Sequence, residues 1–286
     1  MPCFADQAMQ ISARVELNQP MARHTFRLRV AAPEMAERAL PGQFFMVRIP
    51  GGNDPLIGRA FALYNRILDS DAKPTGIELV YLVKGRLTTR LAQLTPGQTV
   101  ELWGPLGNSF STVQANHLIM VAGGIGQTPF LTLAQEAYGT SVFGDGSRAG
   151  GYAQRVSLCY GVRSEDYLAG IQEFRDLRVE IRIATEDGSI GPPRRVTALL
   201  EELLDQESDP SQARIVCCGP EPMMEAVSRI AAQRAIDCEV SLETPMACGI
   251  GICFSCVAKV GTPSDWDYKR TCVEGPIFPA TSILWH

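Results

Sequence analysis

The sequence predicts an α+β multidomain protein: a small antiparallel β-barrel, a doubly wound α/β sheet behind it, and a short cysteine-rich piece at the end. Three observations carry this. Strand-sized runs punctuated by Gly and Pro fill the first hundred or so residues. From His117 onward, buried-looking strands alternate with helical patterns. Four of the nine cysteines fall within twenty-five residues near the end.

The barrel expectation rests on five runs, residues 11–17, 25–30, 43–49, 77–83 and 98–102, most of them rich in β-branched and aromatic side chains. Pro41-Gly42, Gly51-Gly52 and Pro96-Gly97 supply turns between them, and such spacing suits a small closed barrel. A boundary is expected after GPLGNSF, near residue 112. HLIMVAG then reads as a buried strand, followed by a glycine turn and the helical pattern TPFLTLAQEAYG. VSLCYGV, VEIRIAT and ARIVCCG are further strands, with helices expected over 197–204 and 221–235, which together imply a parallel sheet. Residues 139–152, GTSVFGDGSRAGGY, read as a Gly-rich mobile surface insertion. The chain thus divides as 1–112, 113–236 and 237–286. The last piece is too small for a large core and is expected to fold around a cofactor.

Composition narrows the class. Apolar residues at 45 % and charged residues at 20 % support sizeable cores, while a net charge of −5 and no basic run argue against nucleic acid or an anionic membrane surface. No apolar stretch approaches the length of a membrane span, and the first residues, MPCFADQAMQISARVEL, lack the charged-then-apolar pattern of a secretory signal. A cytoplasmic protein is the expectation. An odd number of cysteines in that setting speaks against a disulfide framework.

Cys248, Cys253, Cys256 and Cys272 follow a C-x4-C-x2-C…C pattern, the spacing of plant-type [2Fe–2S] ferredoxins. Two sulfide-bridged irons need two thiolates each, so one loop must wrap tightly, and Gly249 and Gly251 let it curl with N–H groups aimed at sulfur. A structural zinc site is the alternative, but zinc sites favour two C-x2-C pairs and only one is present here. Cys159, Cys217 and Cys238 read as small core residues, and Cys3 as part of a frayed terminus.

Two further motifs point to nucleotides. Arg59-Ala60-Phe61-Ala62 precedes the Gly85-Arg86-Leu87-Thr88 segment in the barrel; a flavin diphosphate needs an arginine charge, backbone N–H groups and hydroxyl donors, which Arg59 and Thr88 could supply. Gly123, Gly124, Gly126, Gln127, Thr128 and Pro129 lie between a strand and a helix, where glycines let a pyrophosphate reach the helix start. A purely structural turn is the competing reading. Cys218-Gly219-Pro220 closes a later strand and is expected beside that loop, where the reactive end of a nicotinamide would lie; a plain helix start is the plainer account. His24, His117 and His286 show no evident partners.

The order R-A-F-A, G-G-I-G-Q-T-P, C-G-P-E-P-M-M and then the cysteine motif resembles the ferredoxin–NADP reductase superfamily with a C-terminal [2Fe–2S] domain. Within it, the chain is most similar to the electron-transfer subunits of class 1B dihydroorotate dehydrogenase. The resemblance covers nearly the whole chain, through ELVYLVKGRLT, WGPLGNSF, VAGGIGQTP, ATEDGSIG and ETPMACGIGICFSCV. It implies that FAD contacts Arg59, Ala60, Phe61 and Ala62, the strand residues Val80, Tyr81 and Leu82, and the turn residues Leu87 and Thr88. Ala62 departs from the family's Ser or Thr near the flavin N5, and Leu87 from a common Gly.

The resemblance further implies a path from NAD(H) through FAD and the cluster to an FMN-containing catalytic subunit in an α2β2 assembly, serving pyrimidine biosynthesis. Rival readings are a diaphorase subunit of a hydrogenase, transhydrogenase or oxygenase complex, and, from another class, a non-catalytic cluster-bearing regulator. Such a path needs no general base in this chain. Arg163 and Ser164 could meet a 2′-phosphate, but Glu165 and Asp166 would repel one, which favours NAD over NADP.

Overall fold

In a computed structural model, residues 7–52, 54–144 and 148–285 are described, so Cys3 and His286 lie outside them. Six strands, β1 (Met9–Ala22), β2 (Thr25–Ala31), β3 (Phe44–Arg48), β4 (Arg59–Leu68), β5 (Pro74–Leu82) and β6 (Thr99–Leu106), close into an antiparallel barrel in the order β1-β2-β5-β4-β3-β6. Alternation builds it: Leu28 and Val30 of β2 face the interior fully buried, while Arg27 and Arg29, alternating with them, point outward to Glu173 and Glu78 respectively. Helix α1 (Pro33–Arg38) caps the interior with Met35 and Ala36, and α2 (Arg86–Leu91) follows β5. The strand missing from the sequence expectation is β4, which carries the R-A-F-A motif itself.

Five parallel strands follow: β7 (Ala115–Gly123), β8 (Ala153–Val162), β9 (Glu180–Thr185), β10 (Ala213–Cys218) and β11 (Asp237–Ser241). Helices α3 (Phe130–Ala137) and α4 (Ile171–Asp176) cover one face, α5 (Val196–Asp205) and α6 (Glu221–Gln233) the other. The near-continuous apolar runs of these strands are explained by that double cover. Along β7, Leu118 and Met120 join the α3 side, and Ile119 and Val121 join the α5–α6 side.

After β11 the chain leaves the sheet, makes a hairpin of β12 (Val257–Thr262) and β13 (Asp265–Arg270), and returns as β14 (Ile277–Pro279), antiparallel to β11. The sheet order is therefore β14-β11-β10-β7-β8-β9. The sequence division ends the α/β unit at residue 236, but its sheet continues through β11 and takes β14 from the cysteine-rich piece.

Two local expectations change. The described part of 139–152 packs down: Phe143 and Tyr152 are buried, and Arg148 binds Glu136 at 2.5 Å and Ser109 at 2.9 Å. His117 does have partners. Its ring bonds Glu207 at 2.8 Å and Ser157 at 2.7 Å, at the end of the sheet away from the glycine loop. Among the described residues, no helix is long and apolar enough to cross a membrane.

Candidate functional site

A cavity of about 420 Å³ opens where the barrel, the carboxyl ends of the sheet strands and the cysteine-rich segment meet. Such a crevice is where ligands of open α/β sheets bind. Neighbouring strands β4 and β5 bring Arg59, Ala60, Phe61, Ala62, Val80, Tyr81 and Leu82 to its wall, and the start of α2 adds Leu87 and Thr88. From the sheet side come Gly126, Thr128, Pro129 and Cys218. Four expected residues, Gly123, Gly124, Gln127 and Gly219, do not line it.

The barrel side is cationic. The Arg59 guanidinium touches only backbone carbonyls, of Ile57 at 3.1 Å and Gly58 at 3.0 Å, and has no carboxylate partner among the described residues. Lys84 and Arg86, the latter paired with Asp54 at 2.6 Å, line the same wall. At the start of α2 the first amide bonded back to the turn is Thr89 to the Gly85 carbonyl. The amides of Arg86, Leu87 and Thr88 are thus those a helix start leaves without an intrahelical acceptor. The Thr88 hydroxyl, expected to serve a diphosphate, is already engaged. It accepts from the Lys84 and Gly85 amides and donates to the Gly85 carbonyl, all at 3.0 Å. What this turn offers an anion is backbone N–H and charge. A Cβ at Gly85 would meet nothing within 4 Å, so open cavity lies beside this backbone. Leu87 sits in helical backbone with its side chain buried, so the departure from Gly is accommodated.

On the sheet side, residues 124–127 form a 3-10 turn, and Pro129 is the N-cap of α3. Gly126 is needed for close approach: a Cβ there would lie 2.2 Å from the Cys218 carbonyl oxygen. That contact sets the glycine loop directly on the end of β10 and brings Cys218 to the cavity. Burial, with the nearby Glu243 charge, pushes the Cys218 thiol up to about 12, so it is a neutral thiol at ordinary pH. Gln127 turns the other way, fully buried behind the loop near Tyr64 and Gly170, its amide group without a partner among the described residues.

Phe44 of β3, residues 241–244, Met246 and Pro276 also line it. The rule that placed Cys218 at a strand end would have found Ser241, had β11 been recognised as the next strand of the sheet.

The four cysteines form two pairs. Cys248 and Cys253 have sulfurs 3.3 Å apart and lie toward the surface; Cys256 and Cys272 have sulfurs 3.2 Å apart and are buried. Neither separation is that of a disulfide, which is about 2.05 Å, whereas two thiolates on one tetrahedral metal with bonds of about 2.3 Å sit about 4 Å apart. Two pairs suit two irons. The Ile250 amide donates to the Cys248 sulfur at 3.4 Å, and the Ser255 hydroxyl lies 3.1 Å from that of Cys253. Gly249 and Gly251 curl the loop at φ of +73° and +82°.

A cationic barrel cavity against a nucleotide-type sheet, with paired thiols alongside, defines an iron–sulfur flavoprotein reductase. Comparison with known proteins agrees for each part. The family models that match are an oxidoreductase FAD-binding domain over residues 8–111, an oxidoreductase NAD-binding domain over 120–229, and the iron–sulfur cluster binding domain of dihydroorotate dehydrogenase B over 243–284. Similar curated proteins include the dihydroorotate dehydrogenase B (NAD(+)) electron transfer subunit of Desulforamulus reducens, 33 % identical over 93 % of this chain and 94 % of that one. The same subunit from Bacillus caldolyticus is 33 % identical over 92 % and 94 %. Among solved structures, an NADH-dependent reduced ferredoxin–NADP oxidoreductase superposes with a TM-score of 0.78, at 22 % identity over 96 % of this chain and 90 % of that one. Phthalate dioxygenase reductase does so with 0.59, at 17 % identity over 90 % and 88 %; both likenesses are of fold. The chain belongs to the family of dihydroorotate dehydrogenase B electron-transfer subunits. Its cofactors are FAD, NAD and an iron–sulfur cluster.

Proposed function

We propose that this chain carries electrons between NAD(H) and an FMN-containing dihydroorotate dehydrogenase catalytic subunit, by way of FAD and a [2Fe–2S] cluster, in pyrimidine biosynthesis. The observation that carries this is contiguity. Phe44 lines the cavity and belongs to the same buried apolar cluster as Cys256 and Cys272, so the flavin site and the thiols share one wall. The relatives' own name, electron transfer subunit, supports a separate catalytic partner, and an α2β2 assembly and a cytoplasmic setting complete the proposal.

In this reading Arg59, with Lys84 and Arg86, neutralises the FAD diphosphate, which also takes amides at Leu87 and Thr88. Backbone at Ala60, Phe61 and Ala62 and at Val80, Tyr81 and Leu82 holds the ring system. Ala62 has no hydroxyl to offer, so only main-chain groups serve the flavin there. The loop of Gly123, Gly124, Gly126, Thr128 and Pro129 receives NAD(H), with Gln127 bracing it from behind and Gly219 allowing the two strand ends to meet. Cys218 stands as a neutral thiol by the nicotinamide. When bound, FAD supplies the exchange between a two-electron hydride and single electrons. Cys248, Cys253, Cys256 and Cys272 hold the cluster, and the residues between exclude water. The three units serving these groups span 1–112, 113–236 and 237–286, with β11 and β14 tying the third to the second.

NAD is the preferred nucleotide. At the end of β8, Arg23 pairs with Asp166 at 3.1 Å. Hydrogen bonds from its own backbone, from Ser164 and from Arg23 hold the Asp166 carboxyl below the usual range, so a negative charge stands where a 2′-phosphate would come.

NADH added anaerobically to the protein with both cofactors should bleach flavin and cluster in turn. Cys253→Ser should keep NADH-to-dye activity through FAD and lose transfer to the catalytic subunit. Intact partner transfer from a cluster-free variant would refute the route.

A further inference from the structure

The cavity and the cysteine loop are joined through Met46 and Trp103, two side chains that the proposed binding sites leave unused. In the barrel, Ala60 of β4 pairs with Met46 of β3, and Met46 pairs with Trp103 of β6. Ala60 lines the cavity. At the other end, the Trp103 indole N–H donates to the Cys248 carbonyl at 2.9 Å, a contact spanning 145 residues of chain.

The surroundings of this bond leave little slack. A Cβ on Gly58 would lie 2.7 Å from the Trp103 ring, so the indole is seated on the backbone just before Arg59. Gly249, next to the accepting carbonyl, has a φ of +73°, and a Cβ there would lie 2.7 Å from Met46 Cγ. Met46 is fully buried in one cluster with Phe44, Leu106, Cys256 and Cys272. Exposed loops adjust freely unless something ties them, and this tie runs from a rigid barrel strand to the backbone of the first cysteine.

We propose that Trp103 is a positioning residue for electron transfer between the flavin cavity and the cluster. Its N–H holds the Cys248 carbonyl to β6, which keeps Gly249 on Met46 and the Cys256–Cys272 pair against Phe44, Met46 and Leu106. The proposal rests on the reading that FAD fills the cavity and the four thiols bind the cluster. The step served moves one electron from reduced flavin to one ferric centre; Trp103 itself is neither oxidised nor reduced.

The test uses the full-length protein carrying both cofactors, mixed rapidly with NADH, with flavin and cluster bands followed separately and both midpoint potentials titrated. Trp103→Phe should reduce its flavin at the wild-type rate and its cluster roughly fivefold more slowly, equivalent to about 1 kcal/mol. The two potentials should stay unchanged, which separates position from driving force. Trp103→His, which keeps a ring N–H donor, should recover most of the rate. Wild-type cluster reduction in Trp103→Phe, or a Trp103→His protein equally slow, overturns the role. If Trp103→Phe purifies without a cluster, Trp103→His decides alone: loaded and fast supports the role, unloaded or slow overturns it. Wild-type protein whose flavin bleaches but whose cluster never does would defeat the parent reading as well, an outcome visible before any variant is made.

Discussion

Gly126 shows how a single atom can set a site. With only 2.2 Å between a would-be Cβ and the Cys218 carbonyl oxygen, Gly126→Ala must push the glycine loop off β10. It should cost about 1–3 kcal/mol of stability, and raise the KM for NADH in steady-state assays more than it lowers flavin content. Cys218 supports a prediction of the opposite kind. Its thiol stays protonated to about 12, so the rate of flavin reduction by NADH should show no thiol ionisation between pH 7 and 10, and Cys218→Ala should keep that profile shape. His117 titrates the other way. Burial, then the Arg155 charge, lowers its pKa below 6.5, so the unfolded chain binds more protons. The stability it contributes is present above about 6.5 and fades as pH falls through the lower folded value. Denaturant midpoints of His117→Gln should therefore lose less between pH 7 and 5 than those of the wild type. These roles were only half legible in the sequence. R-A-F-A and the glycines advertise a ligand by residue type, but nothing in GRLT tells that Thr88 spends its hydroxyl on its own turn, or that Gln127 faces inward.

At the scale of elements, legibility followed burial. HLIMVAG and ARIVCCG are apolar on both faces because helices cover both, and such runs are readable as strands. Helices α1 and α4, six residues each, are too short for a periodic pattern to register. β11, DCEVS, has only Val240 and Ser241 buried, and β14 is three residues long, so neither carries a strand signal in the sequence, and the cavity residues after Ser241 carry none either. α3 carries a testable element of its own. Glu136, 2 % exposed in its side chain, is held by Arg148 and by the Tyr152 hydroxyl at 3.1 Å. Arg148→Ala would strand a buried carboxylate and should lower stability by roughly 3–5 kcal/mol in thermal or denaturant unfolding. A double variant with Glu136→Gln should recover part of it.

Across the whole molecule, three units share one seam. Barrel and sheet have large cores of their own, but between Leu242 and Gly275 the buried apolar side chains are Cys256 and Cys272. A segment whose core is its own metal ligands depends on the metal to fold. Removal of the cluster should therefore open this region to protease first, with cleavage mapped by mass spectrometry, while barrel and sheet stay protected. Wholesale digestion at equal rates would contradict that order.

The return of the chain as β14 bears on more than the cluster. Three residues make a poor template for a foreign strand, so β14 blunts the border of the sheet, and β11 behind it keeps its N–H and C=O groups paired. A chain ended after Leu242 would lose this guard and present β11 bare. Such a truncation, made to isolate a flavin-only reductase, should self-associate edge to edge. A truncated chain that elutes as a monomer in size-exclusion chromatography would show that β14 is not needed as such a guard.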